Sequence, residues 1–433
     1  MRDLLRTLTA VLALWLVAAG NAQAILTIKI TQGAEKALPI AVVPFRAASQ
    51  LPVDVADVVA ADLARSGRFA PMPAADMPSR PAEFSEVGFQ DWRLLGMENL
   101  VIGKLTPTPA GDYEVEFRLV DVYKATQIAG YKITSTAGNL RLTAHQIADI
   151  VYEQLTGEKG AFATRIAYVT VRQQGAGQKL YTMQIADADG YNPQTLLESP
   201  QPVMSPAWSP DGRKLAYVSF EGRNSAIYVQ DVYTGERKSV ASGAGINSAP
   251  AWSPDGARLA LTRSRDGNPE IYVLHLSTGL FQRLTDDPSI DTEPVFSPDG
   301  SRIAFTSDRG GGPQIYEVEV ANPAPKRITF SQGDYNARPR YSPDGSRMAM
   351  VNGGSGGYRI AVLNLRDGSF EVLTNSTLDE SPSFAPNGSM IIYATVGAGG
   401  TELAATSIDG RVQQRLALQE GEVREPAWGP FRK

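Results

Sequence analysis

The chain has 433 residues, 43% of them apolar, with 40 glycines and 29 prolines, so a single core is not expected and many turns are. A formal net charge of −5 gives no reason to expect a nucleic-acid partner. The absence of cysteine excludes disulfides and thiolate metal sites, and leaves packing and backbone ladders to hold the fold.

Residues 1–24 read as a secretory signal: Arg2 and Arg6 open it, an apolar run covers residues 8–19, and Ala22-Gln23-Ala24 supplies a small-x-small cleavage site. The run is too short to span a bilayer. Cleavage after Ala24 removes Arg2, Asp3 and Arg6 and leaves a net charge of −6. No second apolar run of membrane length follows, and no cysteine could carry a lipid anchor, so a soluble monomer of the bacterial periplasm without membrane insertion is expected.

The next stretch, ILTIKITQG, alternates Ile25, Thr27, Lys29 and Thr31 with Leu26, Ile28 and Ile30, and Gln32 and Gly33 close it. This period of two predicts a strand, within residues 25–35, that either folds back on its own chain or adds to the edge of a partner's sheet. Residues 36–157 change texture and predict a small α/β domain. Residues 36–45 form a buried-strand run, and Val55, Val58, Val59 and Leu63 fall at helical spacing before Gly67. Pro71, Pro73, Pro78 and Pro81 mark a loop, and DWRLLGMENLVIGKL reads as a short helix entering a strand. YEVEFRLVDVY and QIAGYKITST alternate as a hairpin, and LRLTAHQIADIVYEQLTG closes the domain as an amphipathic helix with Thr143 as N-cap and Gly157 as stop. Residues 158–164 are a short connector, so the two domains are expected to touch.

From residue 165 the chain is repetitive. PAWSPDG, PAWSPDG, PVFSPDG, PRYSPDG, PSFAPNG and a truncated PAWGP begin at Pro206, Pro250, Pro294, Pro339, Pro382 and Pro426, spaced by 44, 44, 45, 43 and 44 residues. Each phrase places an aromatic residue on a short strand and then reverses the chain, because Pro presets φ, Asp bonds its own backbone and Gly tolerates positive φ. Further strand signals follow each reversal, giving four per repeat. Together these predict a two-domain fold: a small N-terminal α/β domain followed by a six-bladed β-propeller of four-stranded blades, residues 165–433. RIAYV at Arg165 lacks a preceding anchor and PAWGP lacks a following strand. The C-terminal strand is therefore expected to complete the first blade and lock the ring.

Catalytic signals are weak. Gly353-Gly354-Ser355-Gly356-Gly357 matches a nucleophile-elbow spelling but lies between blade strands rather than at a strand-to-helix turn. Only His145 and His275 could serve as a base, and Asp187, Asp189 and Asn192 lack the remaining ligands of a calcium loop. No enzyme activity, cofactor or metal is expected, although a cation in the channel is compatible with the charge there. If the anchor strand is innermost, the residues before each anchor proline rim one channel mouth. They are Met204 and Ser205; Asn247, Ser248 and Ala249; Asp291, Thr292 and Glu293; Asn336, Ala337 and Arg338; Asp379, Glu380 and Ser381; and Val423, Arg424 and Glu425. Five carboxylates against two arginines predict a net acidic mouth, suited to a basic or donor-rich loop.

The leading α/β segment with LPIAVVPF, the junction TGEKGAFATRIAYV and the phrase SPQPVMSPAWSPDGRKLAYVSFE, followed by the six repeats, resemble the TolB family of the Tol-Pal cell-envelope system over essentially the whole mature chain. The resemblance implies a periplasmic adaptor that binds the lipoprotein Pal at the mouth residues above and the inner-membrane protein TolA through residues 25–33. It further implies support of outer-membrane invagination at division and of envelope integrity. Ile246 stands where members of the family can carry His, while Ala249 and Thr292 match. A propeller enzyme or carbohydrate-binding module using the channel is the alternative reading.

Overall fold

The structure, a computed structural model, describes residues 37–175, 177–330, 332–354, 356–397, 400–416 and 421–432, and the backbone of residues 26–30. The signal, Ile25, Thr31 to Gly33 and Ser355 lie outside the described residues.

The N-terminal unit is one mixed sheet with helices on both faces. Strand Leu38–Val42 pairs in parallel with Phe69–Pro71 and Asn99–Pro107, and Tyr113–Asp121 and Thr126–Ser135 then extend the sheet antiparallel. Helix α1, Val55–Arg65, starts where the Asp54 carboxylate accepts from the amides of Ala56 and Asp57 at 3.0 and 3.2 Å. It packs Val55, Val58, Val59 and Leu63 against Ile147, Ala148 and Val151 of a later helix, Leu140–Thr156. Between these two helices in sequence lies a short one, Phe89–Leu94, which buries Trp92 against the other sheet face beside Leu100 and Ile102. We label the three helices α1, α2 and α3 in chain order. Gly157 ends α3 with φ of +75°, as its position as the stop predicts. Thr143 is not the N-cap: α3 begins at Leu140, and the buried Thr143 hydroxyl donates to Ser135 Oγ at 2.8 Å, tying the helix to the end of a strand.

The propeller has six four-stranded antiparallel blades, and its core is distributed. Six apolar clusters fill the six seams between neighbouring blades, so each blade is stable only against the next. The C-terminal strand Glu422–Trp428 pairs antiparallel with Arg165–Gln174 and becomes the innermost strand of blade 1. The aromatic anchors bolt adjacent blades together. Trp208 Nε1 donates to the Ala427 carbonyl at 3.1 Å and Trp252 Nε1 to the Ala207 carbonyl at 3.0 Å, each reaching the inner strand of the preceding blade. Trp428 Nε1 donates to Thr164 Oγ1 at 2.8 Å, fixing the connector to the closing strand.

Strand Leu26–Ile30 runs antiparallel to Val412–Leu416 and forms a fifth strand on the outer edge of blade 6. The alternating segment is therefore folded back on its own chain, covering an edge that would otherwise present unpaired backbone groups. Strand Val412–Leu416 also meets the N-terminal unit. Gln414 Nε2 donates to the Arg65 carbonyl at the end of α1, and the place a Cβ on Gly67 would occupy lies 2.1 Å from Val412 Cγ2.

Candidate binding site at the propeller mouth

Each inner strand carries the same local device. Ser205, Ala249, Glu293, Arg338, Ser381 and Glu425, each directly before an anchor proline, have φ between +49° and +57°. The ladder to the second strand skips a step around each of them. A non-glycine residue held left-handed costs about 1–2 kcal/mol, so a sixfold repeat of it has to be compensated. Side chains of the preceding blade supply part of that compensation. The Ser205 amide donates to Glu425 Oε2 at 2.7 Å, the Glu293 amide to Thr262 Oγ1 at 3.2 Å, and the Arg338 amide to Thr306 Oγ1 at 3.0 Å and Glu293 Oε2 at 3.1 Å. The bulges aim all six side chains into a channel cavity of about 520 Å3.

Arg338 organises this ring. Its Nε lies 2.7 Å from Glu293 Oε1, a terminal nitrogen lies 3.6 Å from Glu425 Oε1, and the other donates to Ser381 Oγ. Burial opposes the charge, but Glu425, Glu293 and Glu380 outweigh it and raise the guanidinium above its ordinary value. One arginine thus joins blade 5 to blades 4, 6 and 1.

The residues before the bulge alternate in exposure. Two positions earlier, Asn247, Asp291, Asn336 and Asp379 are all 0% exposed, so these four expected mouth residues do not reach the rim. They hold loops instead. Asn247 Nδ2 donates to the Ser225 carbonyl at 3.1 Å, Asn336 Nδ2 to Gln314 Oε1 at 3.0 Å, Arg309 to Asp291 Oδ2 at 2.6 Å, and Ser376 Oγ to Asp379. Burial raises the Asp291 carboxyl despite hydrogen bonds from Ser307 and Arg309. Ala337 and Val423 are also buried. Met204, Ser248, Thr292 and Glu380 are partly exposed, and Arg424 is exposed and paired with Glu422. The expected acidity is correspondingly reduced, because Asp291 and Asp379 are sequestered and Glu293 and Glu425 share Arg338.

Three positions before the bulge, Ile246, Ile290 and Leu378 are 46%, 49% and 39% exposed, and Tyr335 packs edge-on against Tyr358 with ring centroids 5.0 Å apart. The mouth therefore combines a charged centre with an apolar surround. The sequence carries this partial ring as Ile246, Ile290, Tyr335 and Leu378, four residues before four of the six anchor prolines; Pro202 and Glu422 hold the other two positions.

A second charged cluster joins the two units. His145 of α3 lies 2.6 Å through Nδ1 from Asp62 Oδ2 of α1 and 3.9 Å through Nε2 from Asp189 of blade 1. These three residues offer ligand atoms within 4.8 Å of one another, but Arg65 pairs with both Asp62 and Asp189, and Arg141 with Asp189. Burial pushes the Asp189 carboxyl up, yet Arg65, His145 and Arg141 together outweigh it and hold it at about 2. Ser355 aside, Gly353 and Gly357 of the serine-containing spelling sit on hairpin strands Arg347–Gly354 and Gly357–Asn364.

Fold and mouth define a closed six-bladed propeller carried with an N-terminal α/β unit. Residues 152–432 match the family described as TolB beta propeller domain, and residues 26–128 match the TolB amino-terminal domain. The Tol-Pal system protein TolB of Nitrosococcus oceani is 59% identical over 97% of this chain and 96% of its own length. That of Thioalkalivibrio sulfidiphilus is 55% identical over 95% of each. A crystal structure of TolB from Acinetobacter baumannii superposes with a TM-score of 0.87 at 42% identity, covering 94% of this chain and 100% of that one. The chain belongs to the TolB family and is a component of a Tol-Pal system.

Proposed function

We propose that this protein is a non-catalytic periplasmic adaptor, exported by cleavage after Ala24 and acting as a monomer. It links Pal at the outer membrane, bound at the propeller mouth, with TolA from the inner membrane, bound through the leading segment. In that role it supports outer-membrane invagination during division and envelope integrity. The observation that carries the reading is the leading strand on the edge of blade 6. A five-residue ladder at a sheet edge, antiparallel to Val412–Leu416, is a segment that can leave its own sheet and join another. At the mouth, apolar Ile246, Ile290 and Leu378 around charged Glu293, Arg338 and Glu425 follow the composition of a protein-binding surface. The proposed contact set is Met204, Ser205, Ser248, Ala249, Thr292, Glu293, Arg338, Glu380, Ser381, Arg424 and Glu425 together with that apolar ring. Neither histidine is among the residues lining the channel cavity.

Thr292→Arg tests the mouth. Thr292 is partly exposed, and its Oγ1 accepts from Thr262 of the preceding blade at 3.3 Å, so an arginine there crowds the entrance at the expense of one long inter-blade hydrogen bond. Calorimetric affinity for the soluble domain of Pal should fall at least about tenfold, or 1.4 kcal/mol, with the melting temperature unchanged. Normal binding by a folded variant would place the partner elsewhere.

A further inference from the structure

Directly below the ring of left-handed residues, each inner strand contributes the residue after its anchor proline. Five of these are Ala207, Ala251, Val295, Ser383 and Ala427, all small or apolar, and the sixth is Arg340. The cavity is wide at this level because four of its six side chains are alanine or serine, and Arg340 is the one cationic side chain among the six.

Arg340 differs from Arg338, two residues above it on the same strand. Arg338 is taken up by Glu293, Glu425 and Ser381. The hydrogen bond found for the Arg340 guanidinium among the described residues runs from one terminal nitrogen to the neighbouring Pro339 carbonyl at 2.8 Å, and no ion pair joins it. Glu293 and Glu425 influence it only at a distance, and Arg338 opposes it. Burial lowers the Arg340 guanidinium below its ordinary value, a penalty that an entering negative charge would offset. Ser383, at the same level on the adjacent blade, accepts from the Trp428 amide at 2.9 Å, which leaves its hydroxyl proton available to donate.

We propose that Arg340, with the Ser383 hydroxyl at the same level of the channel, forms a site inside the propeller channel for a single oxyanion of the carboxylate or phosphate class. A guanidinium fork with free N–H groups matches the paired oxygens of either group. The anion has two sources of the same chemistry, a free small molecule or an acidic side chain on a polypeptide segment entering the channel. The site does not depend on the assignment of Pal to the mouth.

Calorimetry on the full mature chain tests it with two probes, inorganic phosphate and N-acetyl-aspartate N-methylamide, whose only charge is a side-chain carboxylate. At least one probe should bind one-to-one, weaken about tenfold or more in Arg340→Gln, and weaken less in Arg340→Lys, which keeps the charge and loses the fork. Phosphate alone binding would identify a free-anion site; binding of the carboxylate probe, with or without phosphate, would identify a site open to an acidic side chain. Arg340→Gln should keep the wild-type melting temperature, since it removes one hydrogen bond to an adjacent carbonyl. Should that variant not fold, Arg340→Lys and an Arg424→Gln control, exposed at the rim, carry the comparison. Binding by neither probe, or binding insensitive to Arg340→Lys and Arg340→Gln, would overturn the assignment.

Discussion

The amide of Ser205 donates to Glu425 Oε2 at 2.7 Å, joining the first inner strand of the repeat region to the last across the seam where the ring closes. Around it, Trp208 Nε1 reaches the Ala427 carbonyl and Trp428 Nε1 reaches Thr164. Deleting residues 427–433 removes the acceptor of the Trp208 indole, Trp428 itself and the end of an innermost strand. The loss should exceed the roughly 3–5 kcal/mol typical of truncating one buried large aromatic. Chemical denaturation of the truncated chain measures it, and an unchanged melting temperature would contradict closure by this strand.

Arg338 sits between two carboxylates, so its removal leaves Glu293 and Glu425 close together and without their cation. Arg338→Met should destabilise by about 2–4 kcal/mol, most of which should return in the triple variant with Glu293→Gln and Glu425→Gln. A triple variant no more stable than the single one would show that Arg338 acts through packing rather than charge.

At the junction between the units, two carboxylates give pH dependences of opposite sign. Asp189 is held at about 2, below its unfolded value near 4, so its contribution is present above pH 4 and is lost as pH falls from about 4 to 2. It amounts to about 2 kcal/mol. Asp149, raised to about 6 by burial despite the Phe162 and Ala163 amides at 2.7 and 3.1 Å, favours the folded state in its protonated form. Its contribution is present below pH 4 and is lost as pH rises from about 4 to 6. Denaturation of Asp189→Asn and Asp149→Asn against pH should flatten the lower and upper windows respectively. Identical pH profiles for both variants and wild type would remove these groups from the account.

Gly67 has φ of +69°, and a Cβ there would fall 2.1 Å from Val412 Cγ2. Gly67→Ala should cost about 1–3 kcal/mol through backbone strain and overpacking. Adding Val412→Ala should recover the packing part alone. Because Val412 pairs with Ile30, hydrogen exchange of the amides at 412–416 should also quicken in Gly67→Ala. Unaltered exchange would show that the contact does not couple the α/β unit to the leading strand.

What was legible in the sequence followed from periodicity. The constant interval between Pro206 and Pro426 specified the blades, and the complementary deficits at Arg165 and PAWGP specified closure, because strand count is a property of the repeat. The buried face of α1 was equally plain from Val55, Val58, Val59 and Leu63. Position alone could not separate rim from seam. Asn247, Asp291, Asn336 and Asp379 fall beside Ala249, Glu293, Arg338 and Ser381 in sequence, yet the bulge turns the latter into the channel and leaves the former buried against loops. Their shared position before the anchor proline suggested exposure for both sets. Thr143 misled for a related reason: a threonine near a helix start reads as a cap, and here its hydroxyl serves a tertiary contact to Ser135. The charged junction of Asp62, His145 and Asp189 was not read at all, since its members come from two helices and a distant blade.

The adaptor account rests most on the leading strand. Removing residues 25–32 from the mature chain and titrating the soluble portions of TolA and Pal by calorimetry tests it directly. TolA binding should disappear, while Pal binding should stay within about tenfold, or roughly 1.4 kcal/mol, of the intact protein. Retained TolA affinity in the truncated chain would contradict strand exchange and leave Leu26–Ile30 as a fixed structural edge of blade 6.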